Sequence, residues 1–288
     1  MTETLPPQPP VSPTAQASPD ALGLGQTSGQ RGAEILAGFR AEKFPAPDTL
    51  ALSRWSGRIT ARLLMRLTSS DAPMNFTAAR FVIIQTLIRR ALAKDESNPV
   101  IVEIAAGLSP RGLRLAQELP QAQVIEIDLP DVVRDKQQRL ERAKDVTIPP
   151  NIQWLTADLG TTPLSKVLDG RQVDVVAAEG LLPYFSHQET KTVTRGVLSS
   201  LKPGGKFIAD IPRQAGMEEI RQIMGFFSRQ AGQLKGTVQT EDQARQLLLD
   251  AGYPSVSVYL ATRLADELNL PRPIVDICFF LEAQKAAD

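Results

Sequence analysis

Four carboxylates stand where this chain could do chemistry: Glu103, Asp128, Asp158 and Glu179 each close a short apolar run. Each run reads as a β-strand, and open α/β sheets bind their ligands outside the carboxyl ends of the strands. The run Val100–Ile104 carries Glu103, passes through Ala105, Ala106 and Gly107, and enters an amphipathic helix after Arg111. Small residues in such a turn let a ligand approach the backbone, and the helix start offers unpaired N–H donors. An acid at this strand end repels a dinucleotide pyrophosphate and attracts the ammonium of an amino-acid-bearing sulfonium. Asp128, followed by Leu129 and Pro130, lies about 20 residues beyond the turn, where an acid accepts the hydrogens of both ribose hydroxyls. That spacing serves nicotinamide and adenosyl ligands alike. Asp158 can meet an adenine amino group with Leu159 against the ring, and Glu179 stands at a strand tip with Tyr184 one turn later. Any one of these acids is more often a solvated loop residue or a helix cap. Four of them at successive strand ends are not explained that way.

Other reactive side chains carry two readings each. Tyr184 could orient a substrate or simply pack. His187 has the right ordinary pKa for a general base, yet Ser186-His187-Gln188-Glu189 also reads as a capping box, with Ser186 as cap and Glu189 three residues on. Arg111 could touch a ligand or reach a neighbouring carboxylate. Cys278 lies in the apolar run 274–281 and reads as a buried thiol, unable to form an intramolecular disulfide because it is the only cysteine.

The elements that must position these residues follow from periodicity. Residues 1–32, rich in Pro, Ser, Thr, Gln and Gly, cannot offset their ordering entropy and read as a disordered tail. Residues 33–96 have helical spacing of apolar side chains and read as a helical cap over the sheet edge, with a strong helix at 77–88. From 97 to 288 strands and helices alternate. Strands are expected at 100–104, 123–127, 152–155, 173–177 and 206–210, and helices at 111–118, 131–144 and 188–201, with a turn at Pro203-Gly204-Gly205. Alternation with short links predicts a parallel, doubly wound sheet. The end departs from it: a helix at 241–250 is followed by runs 256–260 and 274–281 with no ordinary helical crossover, which predicts an antiparallel edge pair. The charged run 134–142 reads as a solvated helix face.

Lys plus Arg and Asp plus Glu balance at 32 each, so no global field draws nucleic acid or an anionic membrane. A single histidine and a single cysteine leave no usual zinc ligand set, and no metal is expected. No apolar stretch reaches membrane-spanning length and no secretion-signal pattern opens the chain, which reads as cytoplasmic.

Four segments resemble the leucine carboxyl methyltransferase family of S-adenosylmethionine-dependent enzymes, which includes protein carboxyl methyltransferases and bacterial polyketide O-methyltransferases. Ile104 to Arg111 resembles its first motif, Glu126 to Val132 with Lys136 its second, and Ala178 to Tyr184 its fourth apart from Pro183. Ala79-Arg80-Phe81-Val82 is similar to a segment of the preceding family helix. The similarity spans roughly residues 75–210. It implies a Rossmann-like class I methyltransferase: an α/β, doubly wound, mostly parallel seven-stranded sheet, an antiparallel C-terminal edge pair and an N-terminal helical cap. It also implies S-adenosyl-L-methionine as cofactor, with Arg80 on the methionine carboxylate and Glu103, Ala105 and Gly107 along the methionyl moiety. Asp128 and Leu129 would then meet the ribose, Asp158 and Leu159 the adenine, and Glu179 the amino group or sulfonium. Glu179 and Tyr184 are the candidate catalytic residues. The chain departs from the family at Ala105, Ser109 and Ile83, which stand in place of a glycine and two aspartates.

The expected reaction is methyl transfer to an oxygen, chiefly a carboxylate of a small molecule or of a protein C-terminus, which is ionised at neutral pH and needs no base. A phenol would need one. A non-catalytic methyltransferase-like interaction protein is a second reading, given the departures. A nicotinamide-dependent oxidoreductase is a third: it needs glycine at three turn positions, of which the run from Ala105 supplies only Gly107.

Overall fold

The computed structural model describes residues 28–67, 70–92, 98–220 and 234–287. Most of the expected tail lies outside them, but its last residues, from Ser28, already belong to a helix. The cap consists of α1 (Ser28–Lys43), α2 (Pro47–Leu52), α3 (Trp55–Leu67) and α4 (Ala72–Ala91). Pro47 opens α2 because the first helical position needs no N–H donor. α1 and α3 cross where both carry glycine: a Cβ on Gly38 would stand 2.3 Å from the Gly57 carbonyl oxygen. α4 buries Phe76, Ile83, Ile84, Leu87 and Ile88 beneath the sheet.

The sheet contains β1 (Val100–Ile104), β2 (Gln123–Asp128), β3 (Ile152–Thr156), β4 (Val173–Ala178), β5 (Leu201–Pro212), β6 (Ser255–Tyr259) and β7 (Cys278–Gln284). Its order is β3-β2-β1-β4-β5-β7-β6, with β7 antiparallel to both neighbours and the other pairs parallel. Around it lie α5 (Arg111–Glu118), α6 (Pro130–Arg142), α7 (Leu164–Val167), α8 (His187–Ser200), α9 (Gln214–Glu219), α10 (Glu241–Leu249) and α11 (Ala261–Leu264). β1 and β4 are buried along their whole length, as parallel strands covered on both faces must be. Alternation divides the core: Ile101, Val124, Val175 and Ile208 pack toward α4 and α5, while Val102, Ile125, Val176 and Phe207 pack on the other face. Glu103 and Glu126 are register partners on the first of these faces, so both acids point into protein rather than into solvent.

Three expectations need correction. The last strand begins at Cys278, four residues later than the apolar run suggests, because its partner β5 ends at Pro212, opposite Cys278. The carboxylate of Asp276, just before it, instead accepts hydrogen bonds from the Thr262 N–H and hydroxyl at the start of α11. The turn at 203–205 lies inside β5, where the register to β4 breaks between Val173 and Val175 and Gly204 adopts φ +75°. Finally, α6 is not uniformly solvated. Lys136 is 1% exposed, ion-paired with Glu126 at 2.7 Å and donating to the Ser109 carbonyl at 2.6 Å. Arg139 reaches across to Glu34 of α1 at 2.5 Å and to Asp135 at 2.7 Å. With the two-pronged Arg114–Asp48 pair, at 2.6 and 2.9 Å, this ties the N-terminal helices to the helices that flank the sheet.

Candidate active site

The strand order reverses between β1 and β4, which opens a crevice at their carboxyl ends. A cavity of about 300 Å³ lies there, and Glu103, Ala105, Gly107, Asp128, Leu129, Asp158, Leu159, Glu179 and Tyr184 all line it. Of the cofactor-binding and catalytic residues that the family resemblance implies, only Arg80 does not. The turn after β1 is left-handed at Ala105 and Gly107, φ +52° and +54°. Asp128 holds it in place: one oxygen accepts from the Gly107 N–H at 2.6 Å and the other from the Leu129 N–H at 2.7 Å. Burial pushes the Asp128 carboxyl above its ordinary range despite these two donors. Asp158 makes a local turn by accepting from the Gly160 N–H at 2.9 Å. The facing wall is α1, which contributes Gly32, Ala33, Leu36 and Arg40.

A buried charge cluster lies behind the turn. Glu179 pairs with Arg40 at 2.7 Å, with Arg111, and more distantly with Arg80 at 3.9 Å. Arg111, fully buried, also pairs with Glu103 at 2.5 Å, and its guanidinium covers the Phe81 ring at 4.7 Å. Arg80 pairs with Asp210, at the end of β5, at 2.8 Å. Asp210 in turn accepts from the Gly180 N–H at 2.7 Å. Gly180 is required here: it adopts φ +73°, and a Cβ would stand 2.6 Å from the Arg80 guanidinium. Burial alone would raise the Glu179 pKa, but Arg40, Arg111 and Arg80 overcome it and hold the carboxyl well below its ordinary range. Glu103 goes the other way, raised by burial against the pull of Arg111. One guanidinium serves both acids, and Glu179 has two more.

Arg111 therefore reaches neighbouring carboxylates and does not line the cavity. Sequence reasoning missed Arg40 and Asp210. Asp210 did carry a signal, since it ends a strand as the other acids do. Arg40 carried none, because an arginine in the last turn of a helix is ordinary.

A second cavity of about 130 Å³ adjoins the first and shares Leu36, Gly180 and Tyr184 with it. Arg80 and Asp210 line this one. Burial raises the Tyr184 pKa, so its phenol stays protonated at neutral pH. His187 lines neither cavity. Its ring Nε2 lies 3.0 Å from the Thr237 carbonyl, and the capping box is formed, with the Ser186 N–H donating to Glu189 at 2.7 Å. Cys278 is buried, as expected, and burial pushes its thiol pKa up. No helix among the described residues is long and apolar enough to cross a membrane.

Among solved structures, the chain is similar to the S-adenosylmethionine-dependent methyltransferase SibL: TM-score 0.55 and 13% identity, over 92% of this chain and 72% of that one. A Nostoc punctiforme PCC 73102 protein described as an O-methyltransferase gives 0.52 and 15%, over 88% and 71%. Magnesium protoporphyrin IX methyltransferase of Synechocystis PCC 6803, with bound SAH, gives 0.51 and 16%, over 74% and 86%. At these identities the likeness is one of fold. No curated protein matches. The model of the leucine carboxyl methyltransferase family matches residues 41–197, more than half of the chain and all of the larger cavity's lining except Gly32, Ala33, Leu36 and Arg40. The chain belongs to the leucine carboxyl methyltransferase family, and its fold is that of a class I S-adenosylmethionine-dependent methyltransferase.

Proposed function

We propose that this enzyme transfers a methyl group from S-adenosylmethionine to an ionised oxygen, chiefly a carboxylate, of a second molecule. The observation that carries the reading is the larger cavity itself, where four strand-end acids and the open turn meet at one switch point. The residues present fit the cofactor. Asp128 retains free lone pairs for ribose hydroxyls, because a carboxylate accepts about four hydrogen bonds and two are used. Asp158 and Leu159 stand ready for the adenine. At the methionyl end, Glu103 Oε2 and Arg40 Nε are buried without hydrogen-bond partners, a matched acceptor and donor for a zwitterion.

The geometry favours Arg40 over Arg80 for the methionine carboxylate, since Arg40 lines this cavity and Arg80 the other. Glu179 and Glu103 then face the ammonium. When bound, the cofactor supplies an electrophilic methyl on a sulfonium that carries its own leaving group. The protein's part is alignment and exclusion of water, and orientation of two reactants can lower a barrier by roughly 7–11 kcal/mol. Gly180 and Tyr184, shared by both cavities, stand where the two reactants would meet. No histidine is in place to take a proton and Tyr184 stays protonated, which suits an acceptor that has none to lose.

The test is calorimetric titration of the full chain with S-adenosylmethionine and its demethylated product, followed by labelled-methyl transfer to a panel of acids and phenols. Binding of both ligands, ester formation, and activity retained in His187→Ala are expected. Absence of binding at millimolar concentration would make this a non-catalytic relative. Loss of transfer in His187→Ala with intact cofactor binding would favour a phenol.

A further inference from the structure

We propose that a cleft between α4 and α5 binds an uncharged, flat heteroaromatic molecule that carries a hydrogen-bond donor and an acceptor side by side. An adenine base and a pyridine carboxamide both have such an edge. The site is independent of the methyl-transfer reading. It shares no lining residue with either cavity at the strand ends.

Helical spacing builds the cleft. Phe81, Val82, Gln85 and Arg89 share one face of α4, and Arg114 and Glu118 stand four residues apart on α5. Phe44, just past the end of α1, adds a second aromatic wall. The enclosed space is about 370 Å³. A cavity of about 150 Å³ takes up benzene, so a molecule of one or two rings fits.

Gln85 carries the inference. It is 7% exposed and lines the cleft, yet among the described residues its side-chain amide has no hydrogen-bond partner. That amide offers two donors and a carbonyl acceptor, and leaving them unmet destabilises the fold. An apolar side chain would fill the same space without that cost, as Ile83, Ile84, Leu87 and Ile88 do elsewhere on α4. One partner satisfies both ends of the amide when it presents a donor beside an acceptor on a rigid plane. Glutamine engages the edge of adenine in this way in nucleic-acid recognition.

The walls decide shape and charge. The Phe81 ring is held by Arg111 and Arg114, whose guanidinium carbons lie 4.7 and 5.5 Å from its centroid. Both arginines that line the cleft are engaged in two-pronged pairs. Arg89 donates to Glu118 at 2.7 and 2.5 Å, and Arg114 to Asp48 at 2.6 and 2.9 Å. Such pairs use the edge of a guanidinium and leave its flat face for an aromatic ring. Their charges cancel, which selects a neutral ligand over an ionic one.

The full chain, with S-adenosylhomocysteine in excess to fill the strand-end cavity, is titrated with adenine, nicotinamide and toluene by ligand-observed NMR. Adenine and nicotinamide are expected to bind saturably, with toluene weaker by about tenfold or more. The tighter of the two identifies the edge as that of a nucleobase or of a ring carboxamide. Gln85→Leu is expected to weaken both to the level of toluene and to leave toluene itself unchanged. Its urea midpoint should be no lower, because an apolar group replaces an unmet amide. Val82→Trp fills the cleft from a half-buried position and should abolish binding of all three. The proposal is overturned if none of the three binds at millimolar concentration, or if toluene binds as tightly as the other two. Binding that survives Val82→Trp lies elsewhere and overturns it as well. Unchanged affinity in Gln85→Leu, with a lower urea midpoint, would return Gln85 to the fold and sink the site.

Discussion

Ala105 sits at φ +52° in a turn where a glycine would be unstrained. The left-handed region costs an L-residue roughly 1–2 kcal/mol, and glycine's larger unfolded-state entropy offsets part of any relief. Ala105→Gly should therefore stabilise the protein by roughly 0.5–1 kcal/mol, read as a higher urea midpoint. An unchanged or lower midpoint would show that the turn carries no strain. At this scale the sequence discloses positions better than partners. Glu103, Asp128, Asp158 and Glu179 are legible because strand periodicity places them at strand ends. The Arg111 link joining Glu103 to Glu179 is not, since those acids are 8 and 68 residues away along the chain. No local pattern announces such a bond, and the same holds for Arg40, 139 residues from its partner Glu179.

Among the elements, α1 has the least conspicuous sequence and a direct place at the site. Its apolar residues make a weak stripe, yet it walls the larger cavity and carries Arg40 into it. What seats it is the glycine crossing with α3, where the backbones touch. Gly38→Val should separate the two helices, destabilise the fold by about 1–3 kcal/mol and weaken S-adenosylmethionine binding in calorimetry. Cofactor affinity equal to that of the unaltered chain would show that this wall is dispensable. The strands were readable because buried parallel strands are continuous apolar runs, and β1 and α5 fall at the residues expected. β7 was misplaced because apolar character says nothing about where its partner ends. The buried face of α6 was missed because Lys136 and Arg139 look like any surface charges until Glu126 and Glu34 are brought beside them.

Across the whole molecule, the charge cluster links stability to pH. The Glu179 pKa is depressed in the folded state, so its contribution is present above the ordinary glutamate value of 4.5 and is lost as pH falls below it. Glu103, raised by burial, has the opposite sign and gains from protonation. Removing one partner of a buried ion pair costs about 3–5 kcal/mol. Glu179→Gln should cost about that much at neutral pH, and its gap from the unaltered chain should narrow as pH falls below about 4.5, measured by urea midpoints. A gap independent of pH would remove Glu179 from the titration.

The two cavities also draw on different stretches of the chain. The family match covers nearly all of the larger cavity's lining except the α1 wall. About half of the smaller cavity lies outside that match, from Leu36 and Phe39 on one side to Asp210, Ile277 and Cys278 on the other. The flanking segments thus reach both cavities: α1 brings Arg40 to the larger one and Phe39 to the smaller, and Leu36 to both. A graft of the flanking segments would therefore remodel both cavities together, never one alone.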